Sequence, residues 1–351
     1  MRILHLNDRF GTRGGADWHL LGILSEQAKS HEVVVAAGRK DPDADPAYLF
    51  RAVDGLDSRT ETPVELSTLF AEVNADIIHV HNVVNPVALA QAADQGAVMT
   101  VQDHRSFCPG RGKLTLKGSQ CQETMEESLC ADCFDDAGYA ASIWQLTRAR
   151  LAQVQRMRRV IVLSAYMKQE LVAVGVPDSN VHIVPPFVHG LDHAASAVGP
   201  PCVLFVGRLV DHKGVGDAIA AWRESGVDLP LVFAGTGPAR ARLEAEGFQC
   251  TGWLDHRKLS AIYRQARLVI IPSRWQEPFG IVGLEAATMG VPVLCWDSGG
   301  IEDWYQGPKI PWGDTGTLAA EIRRGVAEEL PVPAPPPGAE PMMKLLETAY
   351  G

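Results

Sequence analysis

Two glutamates stand eight positions apart in the segment EPFGIVGLE, which follows the apolar run LVIIP. Pro278 and Gly280 predict a turn that opens a helix near Ile281, so that Glu277 lies in the loop and Glu285 in the first turns of the helix. One carboxylate can then contact a sugar ring while the other binds ribose hydroxyls.

A basic loop, GRLVDHKG, follows the strand-like run CVLFV and leads into a predicted helix. It places Gly207, Arg208, Lys213 and Gly214 beside the start of that helix. A guanidinium pairs with phosphate oxygens, an ammonium adds a mobile charge, and the free N–H groups of a helix start add a positive dipole end. The loop suits a diphosphate, and a solvated basic loop is the alternative for these residues taken alone.

Short apolar runs rich in Val, Ile and Leu alternate with stretches of helical periodicity, in two successive sets. The runs are at 2–6, 32–37, 76–80, 97–101, 160–163 and 181–184, and then at 202–206, 230–234, 248–251, 268–272 and 291–295. This alternation predicts α/β domains with parallel sheets that are covered on both faces. Ligands of such sheets bind beyond the carboxyl ends of the strands, where both motifs lie.

The chain is longer than one hydrophobic core usually supports, so two domains are expected from its 351 residues. Periodicity disappears over 185–201, which we interpret as the linker. We predict an N-terminal domain at 1–190 and a C-terminal domain at 191–335, both Rossmann-like and doubly wound, facing a cleft. A final helix within 336–351 is predicted to pack back on the N-terminal domain.

Composition excludes some classes of partner. The net charge of -10 argues against nucleic acid, because proteins that bind a phosphate backbone usually carry a basic surplus. No apolar run reaches the ~18 residues of a spanning helix. The N-terminal MRILHL enters a strand-like run without a leader pattern, which predicts a cytoplasmic protein.

The loop GRLVDHKG, followed about 65 residues later by EPFGIVGLEAATMGVPVL, resembles the GT-B retaining glycosyltransferases of family 4. The resemblance implies that Arg208 and Lys213 neutralise the leaving diphosphate and that Glu285 binds the ribose. Glu277 would contact the donor sugar near its anomeric carbon. Attack from the face of the leaving group retains the anomeric configuration, and Glu277 as a covalent nucleophile is the less favoured variant. No catalytic divalent metal is expected, and UDP is the expected nucleotide.

The same resemblance implies further donor-binding positions in loops after the strands. They are Gly207, Gly235, Gly237, Trp253, Leu254, Phe279, Gly280 and Ile281. The regions around Gly235 and around Trp253 and Leu254, together with Leu259 and Tyr263, flank the nucleotide base in the family. Ser298-Gly299-Gly300 lies near the sugar and phosphates there.

In the first half, Gly14 and Gly15 match paired glycines with which the family lets its first loop approach substrates; a tight turn is the alternative. After the strand AVMTV, many relatives have His-Asp-Tyr, whose histidine reaches toward the donor sugar. This chain has Gln102, Asp103 and His104 there. We predict that Asp103 and His104 lie in the active site, and which of the three replaces the family histidine stays open.

Four cysteines cluster in a polar excursion at 108–133, as a C-x12-C-x8-C-x2-C array. Four thiolates suit tetrahedral zinc or an iron–sulfur cluster, with zinc favoured, and four reduced thiols in a loop are the alternative. A subset of the family carries a similar insertion next to the acceptor entrance. The candidate ligands are Cys108, Cys121, Cys130 and Cys133.

Three other polar segments have weaker functional interpretations. In DIIHVHN, His79 is expected to be structural and His81 to reach the cleft. The segment DPDADP at 41–46 lacks the spacing of a calcium loop and is predicted to be a solvated loop. Residues 144–159 predict a helix with five arginines, which suits either a solvated face or peripheral contact with an anionic membrane or lipid-diphosphate acceptor.

Taken together, the sequence predicts transfer of a sugar from a nucleotide sugar to a glycan, lipid-linked or small-molecule acceptor. Two alternatives stay open: a non-catalytic sugar-binding or assembly subunit, and another nucleotide-sugar enzyme such as an epimerase on the same scaffold.

Overall fold

The computed structural model describes residues 1–42, 44 and 47–351. Asp43 and Asp45 of the segment DPDADP lie outside the described residues, so the prediction of a solvated loop there is not tested. The chain divides into two compact units, one formed by 1–187 with 338–351 and the other by 188–337.

Both units are built on a parallel sheet. The strands of the first sheet are β1 (Arg2–Phe10), β2 (Glu32–Lys40), β3 (Leu49–Ala52), β4 (Ile77–Val80), β5 (Val98–Val101), β6 (Arg159–Val162) and β7 (Val181–Ile183). Those of the second are β8 (Cys202–Val206), β9 (Leu231–Ala234), β10 (Gln249–Gly252), β11 (Ala266–Ile271) and β12 (Val293–Cys295). The strand orders are β3-β2-β1-β4-β5-β6-β7 and β10-β9-β8-β11-β12. The prediction of two α/β sheets is confirmed.

The strands alternate with helices along the chain. The α-helices are α1 (Gly15–Gln27), α2 (Ser67–Val73), α3 (Pro86–Asp94), α4 (Glu127–Ala131), α5 (Ala137–Val154), α6 (Ala165–Ala173), α7 (Val215–Ser225), α8 (Arg240–Ala245), α9 (His256–Gln265), α10 (Ile281–Thr288), α11 (Thr315–Ala327) and α12 (Ala339–Tyr350). Single turns of 3-10 helix occur at Asp178–Asn180, Asp211–Lys213 and Gly299–Asp303. Of the described strands, the sequence missed β3, which is an edge strand of mostly exposed residues and lacks a continuous apolar run.

Central strands are buried on both faces, as continuous apolar runs predict. On β8, Val203 and Phe205 pack into one cluster of the second unit while Cys202 and Leu204 pack into another. Interleaved faces of this kind fix the strand register, because a slip by one residue would exchange the two sides. The sheet therefore holds its carboxyl end, and the loops that follow, in a defined position.

The arginine-rich stretch does not form one helix. α5 ends at Val154 and β6 begins at Arg159, so the predicted helix at 144–159 is wrong over 155–159. Arg150 is buried, and its guanidinium donates hydrogen bonds to the backbone oxygens of Val84 at 2.8 Å and Arg59 at 2.5 Å. The arginines therefore do not form one cationic face.

Among the described residues, none of the helices is both long and apolar enough to cross a membrane.

Candidate functional site

Four loops meet at one edge of the second sheet, because they follow the carboxyl ends of the neighbouring strands β9, β8, β11 and β12. Backbone hydrogen bonds join them. The amide groups of Arg274 and Trp275 donate to the oxygen of His212 at 2.9 and 3.1 Å, and the amide of Gly300 donates to the oxygen of Glu277 at 2.7 Å. The loops with the basic and acidic motifs are thus held together as one assembly.

The basic loop turns into α7 at Gly214. This residue has a φ of 75°, in the left-handed region, and a Cβ at this position would lie 1.7 Å from the backbone oxygen of Pro272. Only glycine fits both constraints without a shift of the backbone. The glycine therefore lets the loop with Lys213 lie directly against the loop after β11.

Lys213 and Glu277 form an ion pair at this junction. The Lys213 ammonium lies 2.7 Å from Oε1 of Glu277 and 4.2 Å from the ring centroid of Trp275, and the Ser273 hydroxyl donates to the same carboxylate oxygen. Burial would raise the pKa of Glu277, but the Lys213 charge and the hydrogen bonds outweigh it and hold the pKa below its usual value. Glu277 is therefore a buried carboxylate with a cation already beside it.

Arg208 is exposed on the same loop, with Nη2 at 3.2 Å from Nε2 of His212. The loop thus carries two cations, one exposed and one paired, just ahead of the N-terminus of α7. Backbone N–H groups of a helix start add a positive potential there. This arrangement can bind two adjacent phosphate groups.

The acidic motif has the predicted local structure. α10 begins at Ile281 after Gly280, whose φ is 86°, which leaves Glu277 in the loop and Glu285 in the helix. Phe279 is buried, and its backbone oxygen accepts a 2.6 Å hydrogen bond from the Trp304 indole. The indole of Trp304 therefore holds the backbone of this loop at Phe279.

Glu285 is buried against α9. The Tyr263 hydroxyl donates to Oε2 of Glu285 at 2.7 Å, and Nε2 of His256 lies 3.6 Å from Oε1. Burial raises the pKa of Glu285 to about 7, against the opposing effect of the Tyr263 hydrogen bond. Tyr263 is fully buried, so it contacts this carboxylate instead of presenting its ring to a nucleotide base.

Two glycines of the loop after β9 serve the packing of loops. A Cβ at Gly235 would lie 1.9 Å from the oxygen of Gly207, and one at Gly237 would lie 2.4 Å from the oxygen of Leu209. Close approach of backbone to backbone thus already requires glycine at both positions.

Trp253 is 42% exposed, which makes its ring available for stacking. Leu254 beside it is half-buried.

The first unit contains the remaining predicted site residues. A Cβ at Gly14, which precedes α1, would meet nothing within 4 Å, and Gly15 begins the helix. Asp103 accepts hydrogen bonds from the amide of Arg105 at 2.9 Å and from its Nε at 2.6 Å. His104 is buried, with Nε2 at 3.0 Å from the Tyr166 hydroxyl. Both side chains of the Asp103-His104 pair are thus engaged within the first unit.

The pKa of Asp103 lies below its usual value. Burial would raise this pKa, but the Arg105 charge and its hydrogen bonds outweigh the effect. Asp103 is therefore ionised near neutral pH and carries its own counter-ion. The pairing makes this carboxylate a weaker proton acceptor than an unpaired one.

The four clustered cysteines are free thiols, and burial raises the pKa of Cys130 to about 11. A tetrathiolate zinc site, with Zn–S bonds of about 2.3 Å, needs its sulfurs roughly 3.8 Å apart. Within the described part of the chain, one group of three or more metal-ligating side chains has its ligand atoms all within 4.8 Å, and it contains no cysteine. The arrangement therefore does not support the predicted zinc or iron–sulfur centre at Cys108, Cys121, Cys130 and Cys133.

That group consists of His5, His79 and His81, in the core of the first unit. Nδ1 of His5 lies 2.9 Å from Nε2 of His81, and Nε2 of His79 lies 2.7 Å from the Thr100 hydroxyl. Burial lowers the pKa of each imidazole, so all three are neutral. The three imidazoles thus belong to a buried core network, and His81 is buried instead of lining an open cleft.

Sequence reasoning missed Ser273, Trp275 and His256 beside the two glutamates. A usable signal existed for His256, because it lies seven positions before Tyr263 and thus on the same face of a predicted helix. Ser273 and Trp275 follow β11 directly, where the carboxyl-end rule places ligand-binding groups.

Sequence models of known families match both units. The model of Glycosyltransferase Family 4 matches residues 13–189, half of the chain, and that of Glycosyl transferases group 1 matches residues 192–321. The chain belongs to Glycosyltransferase Family 4. The predicted family membership is confirmed, and the cysteine-bearing subset is not addressed by these matches.

Individual relatives of this family 4 chain are more distant. The glycogen synthase of Mycobacterium tuberculosis is 29% identical over 267 residues, which are 70% of this chain and 56% of that protein. The alpha-D-kanosaminyltransferase of Streptomyces kanamyceticus is 37% identical over 139 residues, which are 35% of this chain and 36% of that protein. The matched part of the chain thus spans about half the length, or less, of these curated relatives.

Solved structures share the fold. The crystal structure of Anabaena HepE in complex with UDP-glucose superposes with a TM-score of 0.63 at 16% identity, covering 99% of each chain. At this identity the likeness establishes the fold alone. The predicted GT-B fold of two Rossmann-like units is confirmed.

Proposed function

We propose that this chain is a retaining glycosyltransferase that transfers a sugar from a nucleotide-sugar donor, a UDP-sugar in the first instance, to a glycan, lipid-linked or small-molecule acceptor. The observation that carries the proposal is the Lys213–Glu277 ion pair, which places a cation and a carboxylate 2.7 Å apart beside the exposed Arg208. In a glycosyl diphosphate, the cation can contact the phosphate oxygens and the carboxylate can contact the sugar.

Arg208 and Lys213 bind the diphosphate in this proposal, together with the first N–H groups of α7. When the glycosidic bond breaks, negative charge accumulates on the leaving diphosphate, and these two cations stabilise it. The two side chains supply this charge without a metal ion. Trp253 stacks on the base, and Glu285 binds the ribose.

Glu277 contacts the sugar near its anomeric carbon, where positive charge develops in the transition state. Its carboxylate is held ionised by Lys213 and Ser273, which suits electrostatic stabilisation of an oxocarbenium-like ring. The acceptor attacks from the face that the diphosphate leaves, so the anomeric configuration is retained. For the first unit we propose contacts with substrates through Gly14, Gly15, Asp103 and His104.

A panel of nucleotide sugars tests the function. Purified protein is incubated with UDP-glucose, UDP-N-acetylglucosamine, UDP-galactose, ADP-glucose and GDP-mannose, and its melting temperature is measured. A donor that binds the native state raises this temperature by mass action. UDP-glucose is the first probe because HepE, which has the same fold, was crystallised with it.

The binding donor is then followed by NMR as it is hydrolysed or transferred to added acceptors. We expect release of the sugar with its original anomeric configuration, and loss of this activity in the Lys213→Ala variant. If none of the donors binds and none is cleaved, the proposal is wrong. Donor binding without any cleavage or transfer would instead favour the sugar-binding subunit.

A further inference from the structure

Glu285 receives two contacts from one face of α9, and no sequence motif assigns either of them. The Tyr263 hydroxyl lies 2.7 Å from Oε2, and Nε2 of His256 lies 3.6 Å from Oε1. All three side chains are buried. One carboxylate oxygen therefore has a hydrogen-bond donor at short distance, while the other faces an imidazole nitrogen at a longer distance.

The tautomer of His256 follows from its other nitrogen. Nδ1 of His256 lies 2.7 Å from the backbone oxygen of His189. A carbonyl oxygen only accepts hydrogen bonds, so Nδ1 carries the proton and Nε2 of the neutral ring presents a lone pair to Glu285. When Glu285 is ionised, this lone pair faces the lone pairs of Oε1. His256 then gives no hydrogen bond to Oε1.

We propose that Tyr263 and His256 are positioning residues for nucleotide binding: Tyr263 holds Oε2 of Glu285, and His256 leaves Oε1 for a hydroxyl of the ribose. The inference rests on the proposed function, in which Glu285 binds the ribose. A ribose hydroxyl donates to a carboxylate more strongly than to a carboxylic acid. The nucleotide therefore selects the ionised form of Glu285.

This selection makes donor binding depend on pH. Burial raises the pKa of Glu285 to about 7 and lowers that of His256 to about 4, so within this cluster the group that titrates between pH 5.5 and 8.5 is Glu285. The groups that face it are Tyr263 and His256 on α9, and His189 and Asp255 act through their charges on His256. Because the ligand prefers the carboxylate, affinity is full above pH 7 and falls about tenfold per pH unit below it.

Two substitutions should move this dependence in opposite directions. Tyr263→Phe removes a donor that favours the carboxylate, so the midpoint shifts to higher pH. His256→Asn keeps an amide donor for the oxygen of His189 but removes the nitrogen that accepts a proton from the acid form, so the midpoint shifts to lower pH. A general loss of structure would weaken binding in both variants without opposite shifts.

Isothermal titration calorimetry with UDP-glucose from pH 5.5 to 8.5 tests the proposal, since neither phosphate of this donor titrates in that range. Another nucleotide sugar of the panel replaces it if that donor is the one identified as the ligand. Tyr305→Phe is the matched control, because it removes a hydroxyl that bonds the backbone oxygen of Val293 at 3.1 Å, away from Glu285. Glu285→Gln should bind weakly and with no dependence on pH.

The expected result is a wild-type midpoint near pH 7, proton release on binding below it, and opposite shifts in Tyr263→Phe and His256→Asn. Donor affinity that is constant with pH in the wild type overturns the inference and leaves the proposed function intact. Shifts in the same direction for both variants also overturn it. Absence of binding by all five nucleotide sugars of the panel at every pH overturns both proposals.

Discussion

The side-chain amide of Gln27 donates a 2.8 Å hydrogen bond to the hydroxyl of Tyr350, which lies 323 residues further along the chain. The amide oxygen of Gln27 lies 2.8 Å from Nε2 of His5, and the Tyr350 hydroxyl lies 2.9 Å from Nδ1 of His79. Because an amide has a fixed donor and a fixed acceptor, Nε2 of His5 must donate to it. The final helix α12 is thereby joined to the core of the first unit.

Loss of the Tyr350 hydroxyl should release this helix. The Tyr350→Phe variant keeps the ring but leaves the Gln27 amide and the His79 nitrogen without this partner, which costs about 1–3 kcal/mol for each buried polar group. We expect faster hydrogen exchange across α12, measured by mass spectrometry. Tyr139→Phe, at a residue that is 58% exposed, is the control and should leave the exchange unchanged. Equal protection of α12 in both variants would contradict this role of the hydroxyl.

The buried histidines should make the first unit sensitive to acid. Burial lowers the pKa of His5 and of His19 to about 4, and those of His79 and His81 lie well below the usual value. Below about pH 6.5 the unfolded chain binds protons that the folded chain excludes. Each histidine therefore lowers the free energy of unfolding by up to about 1.4 kcal/mol for each unit by which the pH falls. The contribution of these histidines to stability should therefore be constant above pH 6.5 and fall between pH 6.5 and 4.

Melting temperatures measured across this pH range show whether stability falls as the pH falls. The His19→Leu variant removes one histidine that cannot be protonated in the folded chain. Its melting temperature should therefore fall less steeply below pH 6.5 than that of the wild type. A wild-type melting temperature that stays level down to pH 4.5, or an unchanged slope in His19→Leu, would rule out the explanation.

Substitutions of the two glutamates in the acidic motif should have different effects, one on nucleotide binding and the other on the rate of sugar transfer. Glu285→Ala removes the proposed ribose contact and should weaken nucleotide binding by about 1.5–3 kcal/mol, roughly 10- to 150-fold. Glu277→Ala should spare binding and lower kcat by about 10²–10³, as for other groups that act on transition-state charge. Glu302→Ala, on the surface, is the control. Equal nucleotide affinity for the wild type and Glu285→Ala would reject the assignment.

The glycine between the two loops should be needed for both stability and binding. A Cβ in Gly214→Ala meets a backbone oxygen at 1.7 Å and occupies a left-handed conformation, which alone costs about 1–2 kcal/mol. We expect a lower melting temperature and weaker binding of UDP-glucose, because the loop of Lys213 must move. Gly338→Ala is the control, since a Cβ there meets nothing within 4 Å. Similar behaviour of the two variants would show that the loops tolerate the shift.

Local patterns were sufficient for much of the fold. Strands such as β8 and β11 are buried on both faces, so they appear in the sequence as continuous apolar runs. The start of α10 at Ile281 was equally predictable, because a proline and a glycine act on the backbone within a few residues. β3 was missed for the converse reason, since an exposed edge strand needs no apolar run.

The sequence by itself determined the α/β class, the two sheets, and the placement of Glu277 in a loop and Glu285 in a helix, because these depend on neighbouring residues. Only the tertiary structure decided which distant side chains meet. It placed Tyr263 on Glu285 instead of beside a base, and it buried Arg150 within a stretch that looked like a cationic face. Such contacts depend on how loops and helices pack over the sheet, and no short-range spacing encodes that packing.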